Sequence, residues 1–291
     1  MRNFLKYSGL QLRKVETPVT PVGPDFESAK RKKIIIDGAQ VSLILPRHDS
    51  GRRKKEKLEP KGDHVRVGYS SRNISNFIKN EAWESWPILK RVWAFYGSWF
   101  VGQLANINFS ISAYRWKFQP ENTSVFHPKI FELAVTHFLN SSYGYETDEG
   151  VPWHQAPVNW QVIDSLPVPA AKFRVESKLG YSPSRMQIMQ FPVSDKVIVK
   201  IQASFGQTCP AHIGILGEEI RDEEMQALLD KVYCSVQLDF GDIDKSGLRN
   251  SLQVAGDATL TKSFAPLKWP VYVDKYGKES EEIKKMIVSG Q

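Results

Sequence analysis

A chain of 291 residues with 41% hydrophobic and 24% charged side chains has a globular composition, which excludes bulk disorder and allows one large or two modest domains. No apolar run approaches the roughly 18–20 residues that a membrane-crossing helix needs, so no membrane partner is expected. The net charge of +7 is uneven, because residues 1–66 hold 16 basic and 8 acidic side chains and so carry the whole excess.

The basic residues gather in Lys30-Arg31-Lys32-Lys33 and in Arg52-Arg53-Lys54-Lys55-Glu56-Lys57. Like charges in a block repel, stay solvated, and attract polyanions or an acidic protein surface. From His48 to Arg66 no aromatic residue is interleaved for base stacking, which favours a solvated basic loop over a nucleic-acid groove. Two cysteines, Cys209 and Cys234, cannot build a disulfide framework, and no long apolar stretch follows the first basic residues. Both features predict a soluble, cytoplasmic protein with reduced thiols.

Residues 1–29 read as a polar arm broken by Pro18, Pro21, Gly23 and Pro24. Residues 30–240 then form the core domain. It opens with Lys33–Ile36 and Val41–Leu45, two apolar runs separated by Asp37-Gly38, a pair suited to the positive φ of a tight hairpin turn. Residues 47–64 form the basic loop. Asn73–Trp86 predicts a helix, with Ile74, Phe77, Ile78 and Ala82 at helical spacing and Pro87 as its stop. The aromatic run Arg91–Phe100, closed by Gly102, and the run Ile107–Trp116 predict two antiparallel strands. In the second, Ile107, Phe109, Ile111 and Ala113 share one face, while Asn108, Ser110, Ser112, Tyr114 and Trp116 share the other.

Pro128 opens a helix at the position where its missing N–H costs nothing, with Ile130, Phe131, Ala134, Val135, Phe138 and Leu139 as the apolar face. A loop over 143–157 leads to strands at Asn159–Ile163, Lys172–Glu176, Met186–Phe191 and Lys196–Phe205. Asp222 then caps a helix whose Met225, Leu228, Leu229, Val232 and Val236 recur at helical spacing. Residues 241–291 form an extension with a short charged helix near Ser280–Ile287 that packs back on the core. Consecutive strands with short polar turns pair antiparallel. The predicted fold is therefore α+β, a curved antiparallel sheet with helices 74–86, 128–140 and 222–236 packed on it.

Chemistry-bearing motifs are missing. There is no G-x-S-x-G elbow, no phosphate-binding loop and no G-x-G-x-x-G. The histidines at 48, 64, 127, 137, 154 and 212 show no zinc-binding spacing, and no cofactor is expected. Two constellations remain. Glu146, Asp148, Glu149 and His154 could supply a hydrolase site from the 143–157 loop, against the plainer reading of a solvated acidic loop. Cys209 near His212 lacks an orienting carboxylate, and an inert thiol is the better reading. Cys234, late in its helix, reads as half-buried packing.

Five of the eight tryptophans fall between Trp83 and Phe118. Aromatic rings normally build cores, yet both faces of strand 107–118 cannot be interior unless something covers each. Either a helix or the segment Phe264–Tyr272 covers Tyr114 and Trp116, or these rings form a recognition surface. The recognition reading names Trp93, Tyr96, Trp99, Tyr114 and Trp116, with Arg52, Arg53, Lys54 and Lys55 beside them, as partner-binding residues.

The hairpin I-I-I-D-G-A-Q-V-S-L-I-L-P at 34–46 resembles the opening of the Mog1/PsbP-type α+β fold. The strand D-K-V-I-V-K-I-Q-A-S-F at 195–205 and the helix E-E-M-Q-A-L-L-D-K-V-Y-C-S-V-Q-L at 223–238 resemble its close. The long aromatic middle and the C-terminal extension depart from that pattern, so no functional residue carries over. The resemblance implies a bacterial immunity or adaptor protein, non-enzymatic, that sequesters a protein partner such as a toxin or secreted effector. The residues themselves leave two alternatives: nucleic-acid binding through the basic 1–66 region, and hydrolysis in the 143–157 loop.

Overall fold

The computed structural model describes residues 18–51, 57–60, 64–65, 82–97, 102–144, 147–148, 151–178, 185–210, 214–240, 254 and 258–269. Residues Lys30–Ile36 (β1) and Ala39–Leu45 (β2) pair antiparallel from Lys30 opposite Leu45 to Ile36 opposite Ala39. Asp37 and Gly38 turn between them at φ of 52° and 94°, the left-handed geometry that an Asp-Gly pair tolerates. His64–Val65 (β3) adds to β1 in parallel, and Gln237–Phe240 (β12) closes the other edge, giving the order β12-β2-β1-β3.

The second sheet is larger and wholly antiparallel. Trp83–Tyr96 (β4) and Gln103–Trp116 (β5) form a long hairpin. His154–Val162 (β8), Ala171–Ser177 (β9), Arg185–Ser194 (β10) and Val197–Gln207 (β11) complete the order β4-β5-β11-β10-β9-β8. Thr147–Asp148 (β6) and Val151–Pro152 (β7) form a minimal separate ladder. The helices are Pro128–Tyr143 (α1) and Glu223–Cys234 (α2).

Two cores share the six-stranded sheet. On one face Trp93, Phe109, Ile111, Phe191 and Val199 meet Ile34, Ile36 and Leu43 of the smaller sheet and Met225, Leu229 and Val232 of α2. On the other, Tyr114, Trp116, Phe173, Ile188 and Ile198 meet Phe131, Val135 and Phe138 of α1. Leu260 and Trp269 join this second core, Phe264 packs on Trp160, and the Trp269 indole N–H donates to Asn140 Oδ1 at 2.8 Å. Chain from 258 to 269 thus lies over α1 and β8. Within the arm, Val22 exchanges backbone bonds with Tyr96, and Gly23 sits so close to the Phe95 ring that a Cβ there would collide with it.

The expected α+β class with three helices is overturned. The described residues are mostly β, about 47% strand and 15% helix, in two sheets with two helices. The reading fails at 73–86. Ile74, Phe77 and Ile78 lie outside the described residues, but Trp83–Trp86 runs as strand, with Trp83 opposite Trp116 and Trp86 opposite Ala113. Aromatic residues suit a pleated surface, and the cross-strand partner outweighs a helical spacing of apolar residues. Pro87 does not stop a helix. It sits at a register shift on an edge strand, where a missing N–H is tolerated. The Lys30–Lys33 block is also strand: Arg31 donates to Ser42 and Gln237, and Lys32 pairs with Glu59 at 3.6 Å. Asp222 stands at the start of α2, but its carboxylate accepts from Arg185 at 2.9 Å rather than from the helix.

Leu229 is fully buried on α2. Leu229→Asp removes about 1.5–3 kcal/mol of side-chain burial and adds the cost of an unpaired buried carboxylate, so it should abolish the cooperative thermal transition. Leu133→Asp, on the exposed side of α1, is the control and should leave the melt within about 0.5 kcal/mol of wild type. Native melting of the Leu229 variant would show that α2 packs through another face.

Candidate binding surface

The aromatic residues expected at a partner surface are interior. Trp93 is fully buried, lies tilted against Phe109 with ring centres 4.9 Å apart, and donates its indole N–H to the Pro46 carbonyl. Tyr96 is buried, with its hydroxyl on both carboxylate oxygens of Asp49 at 3.3 Å. Tyr114 and Trp116 lie beneath α1, with Trp116 stacked on Trp83 at 6.0 Å and tilted against the His137 ring at 5.1 Å. A helix therefore covers these rings, and the reading that exposed them to a partner is corrected by their burial. Trp99 and Arg52, Arg53, Lys54 and Lys55 lie outside the described residues.

The chain on either side of that basic block runs along the free edge of β4. Asp49 exchanges backbone bonds with Val92 and Ala94, and Leu58 exchanges two with Lys90. His48 Nδ1 accepts the Val92 N–H at 3.0 Å, which holds the ring neutral at that atom. Burial, reinforced by the positive charges of Lys57 and Arg91, lowers the His48 pKa below its usual 6.5. Glu59 gathers Arg91 at 2.8 Å, Lys32 at 3.6 Å and Lys57 at 3.7 Å. Burial works against its charge, but the Arg91 hydrogen bond and the surrounding cations hold its carboxyl below the ordinary value.

Only part of the proposed hydrolytic group lies within the described residues. Asp148 sits in β6, His154 begins β8 with its ring on Tyr143, and Glu146 and Glu149 lie outside the described residues. No group of three His, Cys, Asp or Glu side chains among the described residues could hold a metal. Cys209 is buried, and burial pushes its thiol up despite opposing hydrogen bonds, away from the thiolate a nucleophile needs. His212 lies outside the described residues. Cys234 is exposed rather than half-buried, because it falls on the solvent side of α2.

One half of the second sheet face is left open by α1. There a groove of about 230 Å³ runs across β4, β5 and β11, with Lys90, Asn108, Ser110, Gln202 and Ser204 as its polar lining beside Arg91, Val92 and Phe109. Lys90 stands opposite Ser110 and Ser110 opposite Gln202, so the three form one rung. The next rung contains Asn108 and Ser204. Where the groove meets α1, Lys200 is buried, its ammonium 4.8 Å from the centre of the Tyr114 ring and 4.9 Å from that of Phe138. Its hydrogen bond to Gln202 Oε1 is 2.8 Å long. Burial alone would raise the Tyr114 phenol; the Lys200 charge and hydrogen bonds from Lys200, Ser85 and Ser112 outweigh it and hold the phenol below its ordinary value. Alternation marks Asn108, Ser110, Lys200 and Gln202 as face residues in the sequence. Nothing local shows that β4, β5 and β11 are neighbours, so Lys90, Gln202 and Ser204 were not legible as one surface.

Because the folded pKa of His48 is lowered, its contribution is complete above about pH 6.5 and is lost as pH falls through the lowered value. Protonation removes the acceptor for the Val92 N–H. Acidifying from about pH 7 to pH 5 should therefore speed hydrogen exchange at Val92 beyond its intrinsic pH dependence. His48→Ala should remove that excess; an unchanged excess in the variant would separate His48 from the attachment of the loop.

Comparison with known proteins adds little. No family model matches the chain, so none supports the Mog1/PsbP resemblance, and no curated protein matches it. Among solved structures, the chain is similar to the apo structure of immunity protein TplEi of T6SS from Pseudomonas aeruginosa, with 8% identity over 69% of this chain and 68% of that one. The TM-score is 0.23, a superposition too weak to carry an argument about fold or function.

Proposed function

We propose that this is a non-enzymatic binding protein that sequesters another protein in the cytoplasm, as an immunity or adaptor factor does for a toxin or secreted effector. Its docking surface is the open half of the six-stranded sheet. The observation that carries this reading is the character of that face: a rigid pleated surface of half-buried hydroxyl, amide and ammonium groups. Such groups hydrogen-bond a partner, and no histidine, cysteine or carboxylate is among the described residues that line the groove to activate a hydroxyl there. Neutralising a partner by occlusion needs a preformed complementary surface and no covalent step, which is what this face offers.

Nucleic acid is the weaker reading. Sequence-tolerant binding of single strands relies on exposed rings, and Trp93, Tyr114 and Trp116 are buried in the two cores.

The full chain, purified from its native host lysate, should carry one stoichiometric protein partner, measured by light scattering of the isolated complex. Ser110→Trp plugs the centre of the groove and should weaken that complex about 30-fold or more, as loss of an interface anchor does. Three results would reject the reading: a complex indifferent to the plug, recovery of nucleic acid with steeply salt-dependent affinity, or turnover of a hydrolysable substrate lost on replacing His154.

A further inference from the structure

We propose that the groove over β4, β5 and β11 binds an acidic segment of its protein partner, seating one carboxylate side chain against Lys90, Ser110 and Gln202. This rests on the sheet face being the docking surface and adds the chemistry of what docks there.

The groove presents an ammonium and hydrogen-bond donors on Lys90, Ser110 and Gln202. Lys90 and Ser110 make no side-chain hydrogen bond or ion pair among the described residues. The orientation of Gln202 is set from below. Lys200 has only N–H groups to offer, so the side-chain oxygen of Gln202 must face it. The Gln202 amide N–H groups then point away from Lys200, toward Ser204 Oγ at 3.4 Å and Met186 Sδ at 3.5 Å. Those are long, weak bonds that an anionic acceptor would replace. A buried ammonium stands directly behind the amide, with aromatic rings rather than a carboxylate around it.

No carboxylate is among the described residues that line the groove. The nearby carboxylates are paired, Glu59 of the loop along β4 with Arg91 and Glu84 of β4 with Arg115. Among the described residues the groove therefore carries the positive charge of Lys90 with no carboxylate on it, and complementary charge is what such a surface selects. Size narrows the occupant further. A volume of about 230 Å³ falls below the roughly 300–1,000 Å³ of drug-sized ligand sites and suits one side chain of a docked chain. Nor can the partner add as a strand along Lys90–Ala94, because Asp49 and Leu58 already take the backbone bonds of that edge. It must lie on the face.

The probe is acetylated hexaglutamate, titrated at low salt into the full-length, isotope-labelled chain. The side-chain amide resonance of Gln202 should shift saturably. Lys90→Glu should weaken binding at least tenfold, and Lys200→Met should weaken it with the melting temperature retained, because the Gln202 amide loses its anchor. Equal binding of hexaglutamate to wild type and Lys90→Glu overturns the proposal. So does the absence of a shift at Gln202, or inorganic phosphate binding as tightly as the peptide. The partner complex distinguishes the two levels of the argument. A complex that is broken by Ser110→Trp but indifferent to Lys90→Glu leaves the docking face standing and removes the acidic partner. One indifferent to both removes the face itself.

Discussion

The central constraint on this molecule is that β5 is buried on both sides along much of its length. Ile107, Phe109, Ile111 and Ala113 enter one core, while Tyr114 and Trp116 enter the other. A strand alternates its side chains, so a single residue of slip would exchange these sets and place aromatic rings where aliphatic ones pack. Register is held by pairing with β4 on one side and with β11, from Val197 opposite Arg115 to Gln207 opposite Ala105, on the other. The smaller sheet and α2 cover one face and α1 the other, and the closing segment around Trp269 adds to the second core.

The open groove follows from the same arrangement. A helix of 16 residues covers only part of a sheet face, and what remains uncovered must be polar to stay in water. The boundary is sharp along β5: Tyr114 and Trp116 are under α1, and two residues back Ser112 begins the stripe that runs through Ser110 to Asn108. Lys200 sits at that boundary. Its ammonium rests on the Tyr114 and Phe138 rings, a cation–π arrangement in place of a carboxylate partner among the described residues. The same cation orients Gln202 and depresses the Tyr114 phenol. The groove's electrostatics therefore depend on the core beside it.

The basic first quarter of the chain acquires a different meaning in the fold. As sequence, Lys30–Lys33 and Arg52–Lys57 read as two solvated blocks. In the structure the first is a strand whose Arg31 reaches Ser42 and Gln237 and whose Lys32 reaches Glu59, while Lys30 and Lys33 stay exposed. The segments flanking the second, through His48, Asp49 and Leu58, are stitched to β4 and satisfy an edge that would otherwise invite pairing with another chain.

The sequence alone determined the features set by local physics. The Asp37-Gly38 hairpin is one, because its turn needs residues that tolerate positive φ. Helices α1 and α2 are others, because Pro128 and the Met225–Val232 spacing act within one element. The alternation of β5 was equally legible. Only the tertiary structure decided that Trp83–Trp86 is strand, since its partner Trp116 lies far along the chain. It also decided that the aromatic stripe is core, since a helix and a distant segment must arrive to cover it. The groove belongs to the same class. Lys90, Ser110 and Gln202 come from three strands, and their adjacency is a property of strand order, which hydrophobic spacing does not encode.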